Sequence, residues 1–176
     1  MRVARITPLE RQLSLRWMHA PPADPGRRVV ATGVFDLLHV GHVRFLKQAR
    51  AAGTSLIVGV ESDERVRARK GAGRPIVPAD ERCEILAELR PVDGVFLIEG
   101  PADLWTPEAY ARILEELRPA ALALTEGDPA EAGKRSAARS VGAEIVVVPL
   151  VEHRSTTALL ETGVARLASA AYRGGR

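Results

Sequence analysis

Val29-Val30-Ala31-Thr32-Gly33-Val34-Phe35-Asp36-Leu37-Leu38-His39-Val40-Gly41-His42 is the stretch that decides the fold. Val29-Val30-Ala31 is wholly apolar, which marks a strand buried on both faces. The pattern breaks at Thr32-Gly33 and resumes as a helix over residues 41–52, closed by Gly53. A strand, a glycine-bearing turn and a helix in that order form the first half of a β-α-β unit. Such units lay their strands parallel and leave ligands at the carboxyl ends of those strands. The turn is therefore where chemistry is expected.

The alternation continues outward from there. Leu56-Ile57-Val58-Gly59-Val60, Val95-Phe96-Leu97-Ile98, Ala121-Leu122-Ala123-Leu124 and Ile145-Val146-Val147-Val148 read as four further strands. Between them lie helical patterns. One spans residues 80–89, with Ile85, Leu86 and Leu89 inward. Another follows Thr106-Pro107, with Tyr110, Ile113, Leu114 and Leu117 at i, i+3, i+4 and i+7. A short helix is expected near residues 130–141 and a last one from about Ser155. The fold class is α/β: a doubly wound parallel sheet of about five strands in a single domain.

Upstream, Thr7-Pro8-Leu9-Glu10 is a good helix start, and Leu9, Leu13 and Trp17 then share a face at i, i+4, i+8. Ala20-Pro21-Pro22-Ala23-Asp24-Pro25-Gly26 reads as a linker. The division is a helical arm and linker over 1–27, the domain over 28–168 and a tail over 169–176. An apolar stripe outside the domain predicts burial against the domain or against a second copy, and a homodimer is expected.

Charge follows the same division. Residues 1–30 hold six arginines against Glu10 and Asp24, whereas the other 146 residues carry 19 Lys/Arg and 20 Asp/Glu. The basic excess sits in the arm and not on the domain, which argues against a nucleic-acid partner. Cys83 is the one cysteine, so no internal disulfide forms, and its place in a helical pattern makes it a small core filler. No apolar run reaches the ~20 residues of a membrane span, and the N-terminus lacks the apolar core of a secretory signal. A cytoplasmic protein without membrane contact is expected.

Three segments carry chemistry. In the first, His39 and His42 are three apart, so one helical turn presents both to the same side. Gly41 removes a side chain where a ligand could approach the backbone, and the helix amides beyond it favour phosphate. Two imidazoles without an obvious third ligand make a poor zinc set. The second segment runs from Arg69 to Arg82 and concentrates cations and glycines, as a phosphate-binding loop or a solvated surface loop would. The third, Arg154-Ser155-Thr156-Thr157, places a good N-cap and three hydroxyls at a helix start.

Val34-Phe35-Asp36-Leu37-Leu38-His39-Val40-Gly41-His42 resembles the signature of the HxGH cytidylyltransferase-like nucleotidyltransferases, and the similarity runs from about Arg28 to Glu161. The resemblance implies a Rossmann-like fold and direct nucleotidyl transfer to an acceptor phosphate, with Mg²⁺ and no covalent enzyme intermediate. It makes His39, His42, Lys70 and Arg82 the catalytic residues. The nucleotide would be held by Thr32, Gly33, Val34, Phe35, Asp36, Gly41, Arg74, Thr125, Gly127, Asp128, Arg154, Ser155, Thr156 and Thr157.

In detail the chain is most similar to the adenylyltransferase domain of heptose-phosphate enzymes, which implies ATP and a heptose 1-phosphate-like acceptor. Two alternatives stand beside it. One is a CTP-dependent enzyme acting on glycerol 3-phosphate, another polyol phosphate or a phosphonate. The other is a nucleotide-binding regulator that does not catalyse. Two departures bear on the choice. Thr125-Glu126-Gly127-Asp128 lacks the cation of the heptose group's Lys-Gly-Gly-Asp-like stretch. Leu150-Val151-Glu152-His153-Arg154 lacks the Arg and Gly of the glycerol group.

Overall fold

The structure, a computed structural model, describes residues 11–23, 26–150, 156, 160 and 162. Six strands form one sheet: β1 (Ser14–His19), β2 (Arg28–Gly33), β3 (Ser55–Glu61), β4 (Gly94–Glu99), β5 (Ala121–Thr125) and β6 (Glu144–Val148), in the order β1-β4-β3-β2-β5-β6. Strands β2 to β6 pair in parallel, as their continuous apolar runs predict.

Five helices accompany them among the described residues: α1 (Val40–Ala51), α2 (Asp63–Lys70), α3 (Ala79–Ala87), α4 (Pro107–Leu117) and α5 (Glu131–Ser140). Leu46 and Ala49 of α1 and Cys83 and Leu86 of α3 pack on one face of the sheet, against Val29, Leu56, Val58 and Val95. Ile113, Leu114 and Leu117 of α4 and Ala137 and Ala138 of α5 pack on the other, against Val30, Ile57 and Phe96. The sheet is thus doubly wound. Ile85 departs from expectation: it is 45 % exposed while its neighbour Leu86 is fully buried.

The chain leaves β2 toward β3 on one side and reaches β5, the other neighbour of β2, only after α4. Strand order reverses at β2, and a crevice opens at its carboxyl end.

The helical arm is corrected. Residues 1–10, which hold the expected helix start, lie outside the described residues. The continuation is a strand, β1, paired antiparallel with β4. Leu13, Leu15 and Trp17 also fit a period of two, and that period wins because β4 offers an unpaired row of backbone groups beside an apolar face. Leu13 is 5 % exposed, Leu15 packs on the α4 face, and the Trp17 ring meets Phe96 edge-on at 5.8 Å. The boundary at 27/28 does not separate an arm from the domain. Of the apolar stripe that argued for a homodimer, Leu13 is buried within this domain, Trp17 stays 37 % exposed, and Leu9 lies outside the described residues. No described helix is long and apolar enough to cross a membrane.

Candidate active site

The turn between β2 and α1 is tightly determined. Phe35 and Leu37 both adopt left-handed backbone, with φ of 52° and 48°. Such residues cost about 1–3 kcal/mol each and persist where their surroundings over-determine them. Asp36, between them, supplies that determination. Its buried carboxylate accepts from Arg74 Nε at 2.8 Å, from the Ile76 amide at 3.0 Å and from the Val77 amide at 3.0 Å. Its carbonyl accepts from Thr156 Oγ1. Burial alone would raise the Asp36 pKa, but the two amides and Arg74 outweigh it and hold the carboxyl below its usual range. Asp36 is therefore an anchor that ties the loop carrying Arg74 to the turn.

His39 is the N-cap of α1. Its Nδ1 accepts from the Gly41 amide at 3.1 Å, and His42 Nδ1 accepts from the His39 amide at 3.4 Å. The two histidines complete a reciprocal cap that Ser or Thr and Glu more often form. The rings stack with centroids 3.9 Å apart. With each Nδ1 accepting, each neutral ring carries its proton on Nε2, and both residues line the cleft. Two donors of fixed tautomer thus sit at the amino end of a helix, where negative charge is favoured.

Burial, then His39 and Lys70, push the His42 pKa down to about 4. In a histidine-selective NMR titration we expect His42 to change protonation near pH 4. A midpoint at the ordinary value of about 6.5 would overturn this environment. The linkage sign follows: the unfolded chain takes up this proton first, so the contribution of His42 to stability is full above about pH 6.5 and lost as pH falls toward 4.

Most of the expected residues come together. Thr32, Gly33, Val34, Phe35, His39, Gly41, His42, Lys70, Arg74, Thr125, Asp128 and Thr156 line one cleft of about 1270 Å³ at the carboxyl ends of the strands. A side chain at Gly33 would meet the Phe35 ring at 3.0 Å, so the floor there has no room for a Cβ. Burial and Arg74 both lower the Lys70 pKa, as expected of two cations facing a shared space.

Three residues do not line it. Asp36 lies behind the turn, and Gly127 occupies a left-handed position in the loop after β5. Arg82, read as catalytic, is 1 % exposed and points into the protein. It donates to the carbonyls of Val77 at 2.9 Å, Val34 and Glu61 at 2.9 Å, and to Asp63 at 2.6 Å. A guanidinium so fully used is a strut between α3, the turn and the end of β3, and that corrects its catalytic assignment. Arg154, Ser155 and Thr157 lie outside the described residues.

The cleft also contains residues that sequence reasoning passed over: Glu61, Trp105, Tyr110 and Lys134. Lys134 Nζ donates to the Thr32 carbonyl at 3.1 Å and to Asp128 Oδ2 at 2.7 Å. The cation missing from Thr125-Glu126-Gly127-Asp128 thus arrives from α5. Its only sequence signal is the one lysine of a helix that also carries Glu131, Arg135 and Arg139.

The sequence profile of the cytidylyltransferase-like family matches residues 30–155. The bifunctional protein HldE of Koribacter versatilis is 40 % identical over 154 residues, covering 86 % of this chain and 29 % of HldE. HldE of Pseudomonas paraeruginosa is 45 % identical over 139 residues, 77 % of this chain and 28 % of HldE. The chain therefore spans less than a third of the length of these relatives. Among solved structures, the lipopolysaccharide core biosynthesis protein of Thermoplasma volcanium shares 29 % identity at a TM-score of 0.56, over 73 % of this chain and 99 % of that one. Pantothenate synthetase of Thermus thermophilus, at 20 % identity and a TM-score of 0.52, over 75 % of this chain and 58 % of that one, shares the fold. With its profile match, its HxGH turn and its doubly wound sheet in agreement, the chain belongs to the cytidylyltransferase-like family of nucleotidyltransferases.

Proposed function

We propose that this chain transfers AMP from ATP to a sugar phosphate of the heptose 1-phosphate type and releases pyrophosphate. The similarity to HldE and to a lipopolysaccharide core biosynthesis protein supports the sugar, and the paired histidine donors at the α1 start carry the chemistry.

An oxygen of the acceptor phosphate attacks the α-phosphorus in line. The new P–O bond forms as the bond from that phosphorus to the bridging oxygen breaks, and its electron pair leaves with pyrophosphate. Charge grows on the phosphate oxygens as this happens, where the two Nε2–H groups and the amino end of α1 are already oriented. Lys70, Arg74 and Lys134 offset the charge of the triphosphate. No side chain is needed as a nucleophile, and Cys83 is unsuited to be one: it is buried in the core, and burial pushes its thiol up to about 11.

Mg²⁺ fits this donor set as a companion of the triphosphate. Among the described residues no group of three His, Cys, Asp or Glu could hold a metal ion by itself, and Mg²⁺ is commonly held largely by substrate phosphates and water. It would neutralise charge on those phosphates.

A matrix of ATP and CTP against sugar 1-phosphates and polyol phosphates, read by pyrophosphate formation, tests the proposal. We expect ATP with a heptose or hexose 1-phosphate to be turned over fastest. Preference for CTP with glycerol 3-phosphate would overturn both base and acceptor. Tight nucleotide binding without pyrophosphate from any pair would make the chain a regulator.

A further inference from the structure

The cleft does not end at the histidines. It continues over the carboxyl ends of β3 and β4 to a second wall built by Glu61, Arg69, Trp105 and Tyr110, which the transfer chemistry above does not use. Arg65, fully buried behind that wall, organises it. Its guanidinium donates to Glu61 Oε2 at 2.7 Å, to Tyr110 Oη at 2.9 Å and to the Pro101 carbonyl at 2.7 Å, and lies 4.2 Å from the Trp105 ring centroid. Tyr110 Oη in turn donates to Glu61 Oε1 at 2.5 Å. Trp105 Nε1 is satisfied by the Ala102 carbonyl at 2.7 Å.

A buried ion pair of this kind stabilises a fold little or not at all relative to apolar packing, so its presence against a cleft calls for another reason. Each Glu61 oxygen keeps a lone pair beyond the bond it already accepts, while Arg65 cancels the carboxylate charge. The wall is therefore suited to accept from neutral hydroxyl groups. Trp105, with its N–H spoken for, has only its ring left to offer, an apolar plate of the kind that packs against the C–H face of a sugar ring. Arg69 lies 4.9 Å from that ring centroid and precedes Lys70, whose charge is felt at His42. A phosphate between the histidines and these two cations would place the body it carries over Trp105.

We propose that Glu61, Trp105 and Tyr110 form the acceptor subsite, which takes a neutral polyhydroxylated ring bearing a phosphate, with Arg69 holding that phosphate beside Lys70. This rests on the transfer reading above and narrows it. The acceptor is a cyclic sugar phosphate, and a three-carbon polyol phosphate is too short to use the wall.

The chain has two tryptophans, so Trp17→Phe leaves Trp105 as the sole reporter without touching the wall. With α,β-methylene ATP present, hexose 1-phosphate should change Trp105 emission saturably, and glycerol 3-phosphate should bind at least about tenfold more weakly, the scale of one well-made contact region. In steady-state assays Trp105→Leu should raise KM for the sugar phosphate by roughly tenfold or more and leave KM for ATP within about twofold, the signature of lost acceptor binding. Tyr110→Phe, nearly isosteric, should shift the same KM in the same direction by less. Saturable emission change with no pyrophosphate from any nucleotide would keep the subsite and overturn the transfer reading. Pyrophosphate formation with silent Trp105 emission, or with both KM values rising together in Trp105→Leu, would overturn the subsite and keep the transfer. Silence in both measurements would overturn both.

Discussion

Replacing His42 or His39 by alanine is expected to lower kcat by roughly 10²–10³, the usual scale for one preorganised donor to a developing oxyanion. The expectation follows from geometry. Each Nδ1 is occupied by a backbone amide of the α1 cap, which leaves Nε2–H as the donor toward the cleft. Such donors act most where charge grows, so KM for ATP should move much less than kcat, with Lys70, Arg74 and Lys134 still in place. The double substitution should fall short of the product of the singles, because the stacked rings act as one unit.

Alanine at His39 also removes the side chain that caps α1, which should cost about 1 kcal/mol, or roughly 2–4 °C in Tm for a domain of this size. Asn at position 39 keeps a capping group and should recover that stability without recovering kcat. Were the pair merely structural, the pattern would invert: a large loss of Tm, rescued by Asn, with a near-normal kcat in the folded remainder throughout.

Arg82→Met should act in the opposite sense, on folding more than on turnover. The guanidinium satisfies three carbonyls and Asp63 at a site 1 % exposed, and methionine can satisfy none of them. Breaking a buried pair in this way costs about 3–5 kcal/mol, a large part of the roughly 5–15 kcal/mol that holds a domain together. Urea denaturation should show the midpoint falling accordingly. Arg82→Lys, with three donors and no planar fork, should recover only part. A phosphate-binding arginine would behave differently: kcat/KM would collapse while the urea midpoint stayed put.

These two cases show what the sequence made legible. The parallel sheet was, because strands covered on both faces must be apolar without interruption, and β2 to β6 are. The histidine turn was, because its spacing and its glycine leave few other readings. α2 was not: Asp63-Glu64-Arg65-Val66-Arg67-Ala68-Arg69-Lys70 has one large apolar residue and no periodic face, and only its acidic start and basic end suit a helix. Arg82 was misjudged because a long cation close in sequence to a phosphate loop looks the same whether it reaches outward or inward, and the docking of α3 decides which. Glu61, Trp105 and Tyr110 escaped because they come from β3, the loop after β4 and α4, up to 49 residues apart, and only the sheet order brings them to one wall. Tyr110 was placed as an inward helix position; its ring is there, but its hydroxyl serves Glu61.

The strand β1 has a consequence for how this enzyme tolerates being shortened. The family's profile begins at residue 30, whereas β1 ends at His19. A chain cut back to the matched region would keep both histidines and lose its outermost strand. The rim of β4 from Val95 to Glu99, now paired with residues 14–19, would then lie bare beside the Phe96 ring that Trp17 covers. A bare rim of that kind is a template for cross-molecular strand pairing. Catalytic competence and resistance to aggregation are thus written in separate stretches of this chain, and the second lies outside the stretch that the family's profile matches.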